Sequence, residues 1–169
     1  MKSGSLIVSA ALELSRNQIV HFYSDRKNSG ETIKLVELLR NLYKAFRRIY
    51  LSWDAAPWHS SKELKERVAE LNGAAAADSS PEIVLLSLPA GAQFLNVIES
   101  VFSGMARAII HNSDYGSVAD AQKAISRYFE DRNAAFLASP RRAGRAISGK
   151  ERVPSTFADT NNCKDPKYR

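Results

Sequence analysis

Arg48-Ile49-Tyr50-Leu51-Ser52-Trp53-Asp54 is the stretch whose reading decides the fold. Its aliphatic and aromatic residues read as a β-strand that ends at an acid. Helical patterns flank it. Upstream, Ile33, Val36, Leu39, Leu42, Tyr43 and Phe46 recur at helical spacing. Asn28 stands where an N-cap belongs, with Glu31 three residues on as in a capping box. Arg47 and Arg48 close that helix, where cations favour the carboxyl-end dipole. Downstream, Ser60 and Glu63 form a second capping-box pattern, opening a helix that Gly73 is expected to close. Ala74 to Pro81 then reads as an Ala/Ser-rich loop, and Glu82 to Leu88 as a strongly apolar strand.

Further out, Leu6–Leu14 and Gln18–Tyr23 read as strands joined by Ser15-Arg16-Asn17, close enough to form an antiparallel hairpin. Phe94, Val97, Ile98, Val101, Met105 and Ile109 mark a long helix with one buried face. Ser117 with Asp120 opens another, carrying Ala121, Ile125, Tyr128 and Phe129. A hairpin followed by alternating helices and strands implies an α/β fold, a mixed sheet with helices on its faces. Periodicity fades after Pro140. We therefore divide the chain into a domain over 1–138 and a basic, largely irregular tail over 139–169.

With 169 residues and 44% hydrophobic content, the chain can bury the core of one ordinary domain. No run approaches the roughly 18 apolar residues of a membrane span, and no long apolar segment with a cleavage site marks a signal peptide. A single cysteine, Cys163, excludes an internal disulfide and a thiolate metal cage, so a reduced, cytoplasmic setting is expected. The net charge is +6, and residues 100–169 hold 12 Lys+Arg against 7 Asp+Glu. The excess gathers around Arg141, Arg142, Arg145, Lys150 and Arg152. Such a cluster attracts polyanions such as DNA; the plainer alternative is a solubilising tail.

Asp54, at the carboxyl end of its strand, stands where open α/β sheets collect ligands. Its plain alternative is support of the turn into the next helix. Glu99 lies on the long helix with Asn96 and Ser103 at helical spacing, and alone reads as an exposed helix glutamate. His59, five residues after Asp54, alone reads as structural, because no second His or Cys stands near it. Trp53 and Trp58 read as core or rim packing. The sequence has no Gly-rich phosphate loop, nucleophile elbow or paired cysteines.

Two segments carry a resemblance. Tyr50-Leu51-Ser52-Trp53-Asp54-Ala55-Ala56-Pro57-Trp58-His59-Ser60-Ser61-Lys62 resembles the strand–acid–His signature of bacterial insertion-sequence transposases of the Tc/mariner superfamily. Leu86-Ser87-Leu88-Pro89-Ala90-Gly91-Ala92-Gln93-Phe94-Leu95-Asn96-Val97-Ile98-Glu99 resembles that family's Leu-Pro, loop, Leu-Asn-x-Ile-Glu signature. The pair in this order is far more specific than either alone. The resemblance implies a ribonuclease-H-like fold and a DDE endonuclease that cuts and joins DNA during transposition. Three carboxylates would bind two divalent ions, Mg2+ or Mn2+, which activate the attacking oxygen and stabilise the leaving one. By that match Asp54 and Glu99 are catalytic metal ligands, with His59 and Asn96 in supporting roles.

Two departures stand against the family pattern. The acids lie 45 positions apart, residues 54 and 99, about ten more than the family usually has, and Ala74–Pro81 reads as the added length. The family's first acid lies on a strand before the hairpin, and Leu6–Leu14 matches the second strand, so Glu13 is not that acid. A truncated transposase is expected, without its first strand, first acid and helix-turn-helix region, and inactive alone. DNA, both transposon ends and target, is the expected partner, with self-association or association with an intact transposase; no membrane is expected. The enzyme would sit in a bacterial cytoplasm, on the nucleoid when bound. The competing reading is a non-catalytic DNA-binding or assembly remnant. A different nuclease on the same fold is disfavoured by the Leu-Asn-x-Ile-Glu match.

Overall fold

Eight segments of regular structure, set between short turns, build two small sheets and the helices that cover them. The computed structural model describes residues 6–54, 56–88, 96–111 and 113–144. In chain order they are strands β1 (Ile7–Glu13) and β2 (Gln18–Ser24), helix α1 (Ser29–Leu42), strand β3 (Arg48–Trp53), helix α2 (Lys62–Asp78), strand β4 (Glu82–Ser87) and helices α3 (Ile98–Met105) and α4 (Val118–Ala138). A 3-10 turn, Pro57–His59, precedes α2, and a π turn, Ala106–Ile110, prolongs α3. This is the mixed α/β, ribonuclease-H-like architecture expected from the order of elements.

The sheet is split. β1 and β2 pair antiparallel, with Leu12 opposite Ile19, and β3 and β4 pair parallel, with Leu51 opposite Leu85. Among the described residues these are two two-stranded sheets, where the sequence predicts one continuous mixed sheet. Asn17 turns the hairpin in the left-handed region (φ 58°), a conformation asparagine tolerates. Arg132 donates to its backbone and side-chain oxygens.

Each sheet has its own core. Ile19 and Val8 pack with Val101, Met105, Ile125 and Phe129 of α3 and α4. Ile49, Leu51 and Ile83 pack with Val36 of α1 and with Leu64, Val68 and Leu71 of α2. The periodic apolar positions of each helix face one sheet, as amphipathic helices require.

Asn28 caps α1 by accepting from the Glu31 amide at 3.0 Å, and Ser117 caps α4 by accepting from Asp120 at 3.1 Å, both as expected. Two local expectations shift. The cap of α2 is Ser61, which accepts from Leu64. That helix also runs through Gly73 to Asp78. Four consecutive alanines, the best helix formers, outweigh one glycine. Arg40 fastens the added turn, donating to Leu71 O at 2.9 Å and to the Asp78 carboxylate at 3.0 Å. Ser79, left-handed at φ 54°, ends the helix. The long helix predicted from Phe94 begins at Ile98 among the described residues, and Phe94 lies outside them.

Candidate active site

β3 delivers Asp54 at its carboxyl end, and the 3-10 turn folds His59 back onto it. Asp54 Oδ1 lies 2.8 Å from His59 Nδ1 and also accepts from the Ala56 amide at 3.3 Å. An ionised carboxylate only accepts, so Nδ1 carries the proton and the neutral ring presents a lone pair at Nε2. The imidazole stacks on Trp53 (5.1 Å between centroids, 22°) and meets Trp58 edge-on (5.9 Å, 77°). The Asp54 side chain stays 48% exposed against 23% for His59, so the carboxylate opens to solvent while its partner ring is held. Trp53 and Trp58, read from sequence as packing, are thus the clamp that orients His59. Their spacing around Asp54 and His59 was the available signal.

Asn96 and Glu99 form a second pair: Asn96 Nδ2 donates to Glu99 Oε1 at 3.1 Å. Glu99 is exposed at the start of α3. Val97, between them, faces Gly144, and the neighbouring Ala143 amide donates to Leu14 O at 2.8 Å. The second pair therefore sits by the hairpin end of β1. Asp54 and His59 sit by the amino end of α1, where Asn28 lines the same cavity. The fold brings Asp54 to His59 and Asn96 to Glu99, but no contact among the described residues joins the two pairs. Nor do those residues include a cluster of three or more His, Cys, Asp or Glu side chains able to hold a metal ion. Asp54 and Glu99 in these positions do not make a closed two-ion site, and we derive no step through one.

Arg141 and Arg142 are exposed beyond α4. Arg145, Lys150 and Arg152 lie outside the described residues. Among the described residues no helix is long and apolar enough to cross a membrane.

A ribonuclease-H-like layering with an acid at the end of a central strand defines a nuclease-type α/β domain. Residues 1–122 match the family model described as DDE superfamily endonuclease, and the chain belongs to that family. Its members act on DNA and generally use divalent metal ions. A search of curated proteins found no match.

Proposed function

We propose that this chain is the greater part of a transposase catalytic domain, of the Tc/mariner type found in bacterial insertion sequences, and that it is impaired in cutting DNA by itself. The observation that carries this reading is the Asp54–His59 pair at the end of β3, inside the segment that resembles the transposase signature. Asp54 and Glu99 are the two acids we assign to metal binding, with His59 orienting Asp54 and Asn96 orienting Glu99. A third acid near Asp54 is needed to hold two cations. Impairment follows from the separation of the two pairs.

The test is incubation of the chain with supercoiled DNA and Mg2+ or Mn2+, with Asp54→Ala alongside. The chain alone should leave the DNA closed and bind it with an affinity that falls steeply with salt. Robust nicking lost in Asp54→Ala would overturn the impairment and keep the enzyme class. Binding indifferent to salt would sink the DNA reading. A second reading, a DNA-binding or assembly remnant, is favoured by exposed Arg141 and Arg142, for which no acidic partner stands among the described residues. Reversing both charges weakens DNA binding on that reading and leaves it unchanged otherwise.

A further inference from the structure

The two sheets end differently on their outer and inner sides. On the outer side of β2, Asn133 accepts from the Ile19 amide and donates to the Ile19 carbonyl, both at 2.8 Å. On the outer side of β4, Asn72 does the same to Ile83, at 2.7 and 2.9 Å. One asparagine side chain thus occupies a donor and an acceptor of each outer edge, which blunts it against further pairing.

The inner edges have no such cover. Ile19 turns its amide and carbonyl outward, so its partner Leu12 turns its own the other way, and by alternation so do Ala10 and Val8. Trp53 O accepts from the Leu88 amide and Arg47 O from Glu82, so Tyr50 and Ser52 point their backbone groups away from β4. Among the described residues no hydrogen bond reaches these inner groups of β1 and β3. The two edges line opposite sides of one cavity of about 630 Å³. Its remaining walls are apolar: Leu35, Val36 and Leu39 of α1, and Ile98 and Phe102 of α3. A strand residue fills about 160 Å³, from a 3.3 Å rise, a 4.8 Å strand spacing and a 10 Å layer. The cavity therefore holds about four residues of extended chain, with the strand ends emerging at its mouths.

We propose that this slot accepts an apolar β-strand donated by another polypeptide, which pairs with β1 and β3 together and merges the two sheets into one of five strands. A strand covered on both faces needs a nearly continuous apolar run. Residues 145–169, which leave the described structure at the hairpin mouth, contain no run of more than two apolar residues. They fail as the occupant on chemistry rather than on reach. The proposal rests on the edges and walls of the slot, independently of the reading of Asp54.

The probe is a synthetic peptide of seven alternating valines and isoleucines flanked by lysines, added to the full chain. Its control is the same peptide N-methylated at alternate residues, which removes backbone donors while keeping the side chains. The unmodified peptide should bind at least tenfold more tightly, the loss expected from a few backbone hydrogen bonds. Hydrogen exchange should show the amides of Val8, Ala10, Leu12, Tyr50 and Ser52 exchanging freely alone and protected with the peptide. Equal binding of both peptides, or protection elsewhere, overturns the proposal. Edge amides already protected in the dilute chain would make residues 145–169 the occupant, and protection that grows with protein concentration would make it a second copy; either result also overturns it.

Discussion

Truncating the asparagines that close the outer edges tests whether those edges are built structure or incidental contacts. In Asn133→Ala the amide and carbonyl of Ile19 lose partners at 2.8 Å each, and Ile19 is only 4% exposed. In Asn72→Ala the same happens to Ile83, which is 2% exposed. Two backbone hydrogen bonds at about 1 kcal/mol net each give a loss of about 2 kcal/mol per variant, more where water cannot reach the freed groups. For a chain of this size that lowers the melting temperature by about 4–8 °C. The two sites share no partner, so the double variant should lose about 4 kcal/mol, a large share of the 5–15 kcal/mol typical of a folded domain. Asn133→Asp keeps the acceptor for the Ile19 amide and loses the donor, so its loss should be intermediate. Urea unfolding followed by Trp53 and Trp58 fluorescence, with thermal unfolding by circular dichroism, measures all four. Losses under about 0.5 kcal/mol, the range of ordinary surface substitutions, refute the reasoning and show that solvent serves these edges equally well.

Gly73→Ala should stabilise the chain by about 0.5–1 kcal/mol, because Gly73 lies inside α2 and a Cβ there meets nothing within 4 Å; a lower urea midpoint would mean that the helix ends at Gly73. Burial beside Phe129 and Tyr23 holds the His21 imidazole below its usual range, partly opposed by Glu130. The unfolded chain therefore takes up this proton first as pH falls. Stability should decline below about pH 6.5 and level off once the folded imidazole is protonated too. Urea midpoints at pH 7.5 and 5.5 should differ less in His21→Gln than in the parent, and an unchanged difference removes His21 as the cause.

What the sequence discloses here tracks the span of each interaction. The Asn28 and Ser117 caps close over three residues, and both were legible. So was the candidate pairing of Asp54 with His59, five residues apart. The end of α2 was misread because Gly73 is a local stop signal, whereas Arg40, which fastens Asp78, lies 38 residues away. Asn72 and Asn133 look like solvent-facing helix residues, since nothing in their own helices marks the strands they cap. The order of strands and helices was readable from period alone, but the separation between β1 and β3 was not, because hydrophobic pattern does not say which strands pair. The meeting of Asp54 and Glu99 came only from resemblance, and their contacts lie at different ends of the cavity.

The bonds between β2 and α4 bear on the order in which the chain can mature during synthesis. Gln122, Arg132 and Asn133 meet Tyr23, Asn17 and Ile19 across 99 to 115 positions of sequence. At roughly 5–20 residues per second, translation takes on the order of 5–20 s to deliver the helix that the hairpin awaits. Through that interval the hairpin's apolar face stands open to chaperones and to neighbouring nascent chains. The parallel pair can close much earlier, because every helix it packs against precedes β4 in the order of synthesis.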